Sequence, residues 1–291
     1  MSIVNAKEIM VEAAKGKYAI GAFNITDLIQ LEGVVDAAIE KKSPLIIQTS
    51  VKPSKFLGRD VLVAIYRTIA ESAPIPICLH LDHCTEVDYC KACADAGYTN
   101  IMIDASKQTF EENIRQTREV VDYCHSVGDI SVDGELGTVS GVEDQIKVSE
   151  DETQLANPEQ VVDYVERSGV DIFAPAIGTA HGVYKTKNPK VDFERLANIN
   201  KILNGNGIKT PLVVHGGTGL PEDYIQKLIE AGGAKFNVST ELKRVLIDAK
   251  YEYITAHREE YDPGKVDVAA RDAIRKAVCH WIDMLGSAGK A

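Results

Sequence analysis

Short apolar runs that read as β-strands alternate with amphipathic stretches of helical period along the whole chain, and this alternation limits the fold more than any other feature. The strand-like runs lie at 18–23, 44–49, 76–81, 99–103, 130–134, 171–176, 211–215 and 234–238. Between them, apolar residues recur at three- and four-residue spacing, as in 28–41, 59–72, 110–127, 158–168, 193–203 and 221–231. Several of these stretches close on glycine, at Gly97, Gly169 and Gly232, the usual residue where a helix turns back into a strand. Eight strand–helix units predict a closed parallel (β/α)8 barrel of the TIM class rather than an open sheet. The 291 residues fit one barrel domain, 1–291, with a C-terminal helical extension from about Leu242. No linker or low-complexity segment interrupts the pattern.

In such a barrel the C-terminal ends of the strands meet at one mouth, where chemistry is assembled from several strands. Those ends carry Asn24, Gln48 and Ser50, Asp82 and His83, Asp104 and Ser106, Glu135, Gly178 to His181, His215 to Gly217, and Asn237 to Thr240. A lone strand-end histidine is more often a packing residue than a ligand. Three of them (His83, His181 and His215) at the same end of three strands favour a shared metal. Three imidazoles leave the fourth position of a zinc ion open to polarise a carbonyl or activate water. Asp82 directly precedes the first of them and is a candidate acid–base. These residues point to a metal-dependent lyase or hydrolase.

The loops after strands seven and eight are the usual phosphate grip of a barrel. Here the first reads HGGTGLPE from His215 and leads into a helix. The amides of Gly216, Gly217, Thr218 and Gly219, with the helix dipole, are therefore expected to face an anion. Asn237, Ser239 and Thr240 repeat the arrangement one strand later. A single Gly-Gly is more often a turn, but two such loops side by side favour a phosphate. Metal and phosphate grip together suggest a phosphorylated substrate that carries a carbonyl. Glu143, in a Gly-rich acidic interruption, reads either as a solvated loop charge or as a second acid.

With 32 basic against 43 acidic residues the chain carries −11. That disfavours nonspecific nucleic-acid binding and requires any phosphate site to be local. No run approaches the ~20 apolar residues of a membrane span, and the N-terminus has no secretion-signal pattern, so a cytoplasmic protein with no membrane partner is expected. Cys90 and Cys93 have CxxC spacing, which admits a zinc-knuckle or redox reading. They sit inside a helical pattern with no second CxxC, and buried reduced thiols are the favoured reading.

Five motifs, in order, carry a resemblance over essentially the whole chain: LHLDHC (79–84), DGELGTVSGVED (133–144), GTAHGVYK (178–185), VHGGTG (214–219) and NVST (237–240). The chain resembles the class II, zinc-dependent ketose-bisphosphate aldolases. These are TIM barrels that reversibly cleave a ketose 1-phosphate to dihydroxyacetone phosphate and an aldehyde. The resemblance implies Zn2+ held by His83, His181 and His215, with Asp82 exchanging the C4 hydroxyl proton and Glu143 handling the C3 proton. Glu135 and Asp104 match acidic positions near the metal, where an alternate or second cation sits. Gly182, Lys185, Gly216, Gly217, Thr218, Asn237 and Thr240 match groups that hold the dihydroxyacetone phosphate half, and Asn24 and Ser50 match the sugar pocket. The resemblance also implies a monovalent cation (Na+ or K+) near the phosphate grip and a homo-oligomer, dimer or tetramer.

Departures from the family pattern fall mostly on the aldehyde half. Asp133 stands where Glu is usual, and Ser140-Gly141 where the family has a glycine pair. Ser239 takes a position that is often Asp in fructose-bisphosphate enzymes and Ala in tagatose-bisphosphate ones. Lys250 and Tyr251 lie where an arginine usually meets the distal phosphate, and Arg271 matches another basic position suited to that task, from its own or a neighbouring subunit. The distal group is therefore open between a phosphate of the fructose or tagatose series, a sulfonate (6-deoxy-6-sulfofructose 1-phosphate) and the carboxylate of a deoxy-phosphogluconate. Two other classes remain: a metal-dependent barrel hydrolase, which needs a further metal-bound carboxylate, and a non-catalytic sugar-phosphate binder, which has no use for Asp82.

Overall fold

The computed structural model describes residues 2–143, 146–148, 153–182, 184, 186 and 188–291, without the side chains of residues 142, 143 and 146–148. Its strands are β1 (Ile20–Asn24), β2 (Leu45–Ser50), β3 (Ile77–Cys84), β4 (Asn100–Ile103), β5 (Ser131–Leu136), β6 (Ser140–Glu143), β7 (Ile146–Val148), β8 (Ile172–Pro175), β9 (Ala180–His181), β10 (Leu212–Val214) and β11 (Gly233–Val238). Eight of them close a parallel barrel in the order β1-β2-β3-β4-β5-β8-β10-β11, and β11 returns to pair with β1. All eight expected strands are present, with ends displaced by no more than three residues. The extension of β3 to Cys84 and of β5 to Leu136 brings Asp82, His83 and Glu135 inside the strands.

The helices are α1 (Ala6–Gly16), α2 (Leu28–Lys41), α3 (Val51–Leu57), α4 (Arg59–Ser72), α5 (Val87–Ala96), α6 (Phe110–Val127), α7 (Val161–Ser168), α8 (Phe193–Gly205), α9 (Glu222–Glu230), α10 (Thr240–Ala256) and α11 (Pro263–Leu285). The barrel interior is graded along its axis. At the N-terminal end Ile20, Ala22, Ile46, Cys78, Ile172, Ala174, Val213 and Ala234 pack against Ala6, Ile9, Met10 and Ala13, so α1 plugs the bottom. Full burial of one such large side chain contributes roughly 1.5–3 kcal/mol. Higher up, the inward positions become polar: His80, Asn100, Asp133 and Lys235 are all fully buried.

The C-terminal extension consists of two helices with different roles. The helix that follows the last strand, α10, buries only Leu242 and Leu246 and stands off the barrel. Instead α11 closes the outer ring, burying Ala270, Ile274, Val278, Cys279, Trp281, Ile282 and Leu285 against α2, α9 and β1. Gly33 permits the close approach of α2 and α11: a Cβ there would lie 2.9 Å from the Arg271 carbonyl oxygen. The Gly-rich acidic interruption that holds Glu143 contains β6 and β7, which form a small sheet with β9 in the order β7-β6-β9. Cys90 and Cys93 are buried on α5, and all six cysteines are free thiols. Among the described residues no helix is long and apolar enough to cross a membrane.

Candidate active site

Consecutive strand residues point to opposite faces, yet Asp82 and His83 both face the mouth. The pairing of β3 with β4 shifts register between Leu81 and Cys84, and His83 takes a left-handed backbone, φ +44°. This bulge turns the His83 ring toward the barrel axis beside Asp82. Such a conformation costs a non-glycine residue roughly 1–2 kcal/mol, a kind of strain that gathers at functional sites.

Asp82 is fully buried and accepts three amide hydrogen bonds. Asn24 Nδ2 and Gln48 Nε2 reach Oδ2 at 3.0 and 3.3 Å, and Asn237 Nδ2 reaches Oδ1 at 3.0 Å. Ser50 lies beside it in the β2–β3 register. Burial opposes a charge on Asp82, but His83, His80 and His215 outweigh it and hold the carboxyl well below its usual range. The group is therefore an anion at neutral pH and open to accept a proton.

Ligand atoms of His83, His181 and His215 lie within 4.8 Å of one another. Nitrogens around one zinc stand roughly 3.4 Å apart for bonds of about 2.0–2.1 Å, so small side-chain shifts close the set onto an ion. The local hydrogen bonding favours a cation there. His83 Nδ1 faces Asp104 Oδ2 at 2.9 Å, which keeps a proton on Nδ1 and turns Nε2 toward His215. The Asn237 amide that donates to Asp82 also lies 3.1 Å from His215 Nδ1, leaving that nitrogen as an acceptor. His83 Nε2 and His215 Nδ1 are themselves 3.1 Å apart. Two lone pairs at that distance repel unless a proton or a metal intervenes.

The charges around the trio agree with this. Burial opposes protonation of His83, but Asp82, Asp104 and Glu135 hold its pKa well above 6.5. Burial and then the His83 charge push His181 down to about 3. Burial, His83 and His181 push His215 well below its ordinary value. Glu135, 3.6 Å from His215 Nε2, is raised by burial and by Asp104. Atoms of His83, Asp104 and Glu135 form a second set able to hold a metal ion.

Beside the trio, a cavity is lined by His181, Gly182, Gly216, Thr218, Asn237, Ser239, Thr240 and Lys243. Two expectations about this grip need correction. The Gly217 N–H is committed to the Asn237 carbonyl at 3.2 Å, and Gly217 does not line the cavity. The helix after the glycine loop, α9, has Pro221 as its N-cap and Glu222 and Asp223 in its first turn, which disfavours an anion there. The N-terminus of α10 faces the cavity instead, through Ser239 and Thr240.

Arg271 does not join the mouth: its guanidinium is held by Asp36 at 2.6 Å and Glu32 at 3.1 Å, both on α2. Lys250 is paired with Asp267 at 2.9 Å. Glu143 lies in β6, with its side chain outside the described residues, and Lys185 is outside them altogether.

Four groups at or under the site carried no role in the sequence reading. Gln48 was visible only as a strand end, and Lys243 is one helical turn beyond Thr240. His80 and Lys235 share the inward face of their strands with Asp82 and Asn237, a two-residue parity that marks them. Lys235 Nζ donates to Asp133 Oδ2 at 2.8 Å and meets His80 Nε2 at 3.0 Å, while Asn100 donates to Asp133 at 2.6 Å. Removing one partner of such a buried pair costs about 3–5 kcal/mol.

Residues 4–290 match the family described as fructose-bisphosphate aldolase class-II. The chain is 42% identical to a fructose-bisphosphate aldolase of Geobacillus stearothermophilus, covering 100% of this chain and 99% of the relative. Among solved structures, a putative fructose-1,6-biphosphate aldolase from Coccidioides immitis superposes with a TM-score of 0.88 at 30% identity, over 98% of this chain and 97% of the other. The YdjI aldolase of Escherichia coli K12 gives 0.85 at 30% identity, over 99% of both chains. With a closed barrel, a mouth of imidazoles and carboxylates, and these relatives along its full length, the chain belongs to the class II fructose-bisphosphate aldolases, a family of metal-dependent lyases.

Proposed function

We propose that the protein is a zinc-dependent aldolase that reversibly cleaves a ketose 1,6-bisphosphate, fructose or tagatose 1,6-bisphosphate, to dihydroxyacetone phosphate and glyceraldehyde 3-phosphate. The observation that carries this reading is a buried carboxylate, Asp82, held by three amides beside a set of imidazoles able to bind metal. Zinc on His83, His181 and His215 supplies Lewis acidity toward the ketose carbonyl. Asp82 takes the C4 hydroxyl proton as the C3–C4 bond breaks, and that electron pair passes toward the carbonyl. Glu143 is assigned the return of a proton to C3, and Asp104 and Glu135 the support of the ligand set. The 1-phosphate rests against Gly182, Gly216, Thr218, Ser239 and Thr240, with Lys185 and Lys243 as local countercharge and a monovalent cation nearby. The ion pairs that hold Arg271 and Lys250 favour a second reading, in which the same cleavage acts on a ketose 1-phosphate with a sulfonate or carboxylate at its far end.

Dihydroxyacetone phosphate offered with aldehydes carrying phosphate, sulfonate or carboxylate separates these readings. The phosphorylated aldehyde is expected to give the highest kcat/KM; a higher value for another aldehyde moves the substrate, and no condensation with any of them ends the aldolase proposal.

We further propose a cytoplasmic homo-oligomer. On α10, Ile247, Tyr251 and Ile254 form an exposed apolar stripe at helical spacing, with Val268 also exposed on α11. A second copy of the chain suits this stripe. Sedimentation at micromolar concentration is expected to give a dimer or tetramer that Ile247→Asp dissociates; a monomeric parent protein refutes the assignment.

A further inference from the structure

We propose that Tyr184 is a positioning residue, whose hydroxyl ties together the two loops that present His181 and His215; the idea rests on the metal reading above. The phenol oxygen accepts the Ala180 N–H at 3.1 Å and donates to the Gly216 carbonyl at 2.7 Å. Ala180 immediately precedes His181, and Gly216 immediately follows His215. One oxygen atom therefore holds a backbone group adjacent to each of two imidazoles.

The loops follow neighbouring barrel strands, β8 and β10, yet no ladder joins them among the described residues, where β9 pairs with β6. They do touch. A Cβ on Gly216, whose φ is +71°, would lie 2.3 Å from the Ala180 carbonyl oxygen, so only glycine permits this approach. The tyrosine bond is the polar link across that contact. Its ring packs on the main core, which fixes where the hydroxyl sits. Burial raises the phenol to about 12, so it keeps its proton through the neutral range and remains a donor to Gly216.

Groups that orient metal ligands without touching the metal typically alter metal affinity by ~10–100-fold. Tyr184→Phe retains the ring and removes only the hydroxyl. It is expected to fold with an unchanged circular dichroism spectrum and to weaken zinc binding by about 10–100-fold in a chelator competition. Its Co2+-substituted form is expected to show a shifted visible spectrum, since the ligand rings lose their fixed relation. His215→Ala is run in parallel. If that protein loses tight zinc while Tyr184→Phe binds with parental affinity, the positioning role is overturned alone. If all three proteins hold zinc equally, the metal assignment falls and the role of Tyr184 with it.

Discussion

Asp82→Asn is expected to lower kcat for cleavage by about 10^2–10^4, with zinc content unchanged. The carboxylate is surrounded by amide donors, so an asparagine there must turn an NH2 group toward Asn24 and Gln48 or toward Asn237. The substitution therefore removes the base and also unsettles its holders. Asp82→Ala, which introduces no competing donor, is the companion variant. Zinc analysis of both proteins is essential because His83 is the next residue. Turnover near the parental value with zinc retained would falsify the assignment of Asp82 as the proton acceptor.

Chelation is expected to abolish cleavage, and added Zn2+ to restore it in the parent protein but not in His215→Ala. Full activity after exhaustive chelation sinks the metal assignment. The pKa shifts add a pH dependence. The metal-free folded chain carries a proton on His83, held well above 6.5, and that proton must leave as zinc enters. Zinc affinity is therefore expected to go on rising with pH above 6.5, until the pH passes the raised value of His83. Calorimetry in buffers of different ionisation enthalpy counts the protons released; none released contradicts the shift.

The stability of the metal-free protein has two opposed limbs. The raised pKa of His83 stabilises fully below 6.5 and is lost as pH rises through the folded value. His181 and His215 act the other way, because below 6.5 their unfolded rings bind protons that the buried rings refuse.

The barrel was legible because its strands are buried on both faces and so read as continuous apolar runs. The small sheet was not, since β7 and β9 have three and two residues and leave no periodicity to detect. Which helix closes the ring was equally hidden: α10 and α11 are both amphipathic, and packing of Ile274 and Trp281 decides for α11. At the site, residue types and strand ends brought His83, His181, His215, Asp82, Asn24 and Asn237 into view. Backbone detail stayed out of reach, because neither the bulge before Cys84 nor the engagement of the Gly217 amide is written in side-chain chemistry. Arg271 reads as a phosphate ligand by type, and within its own chain it is held by acids on α2.

The twist in β3 makes the residues assigned as proton acceptor and metal ligand a single inseparable unit, since any shift of Asp82 carries His83 with it. The other strands of the barrel and its outer helices carry no part of that kink and are free to change without disturbing it. A lineage built on this frame can exchange one aldehyde partner for another by ordinary side-chain drift, while bond cleavage itself stays locked to one kinked strand.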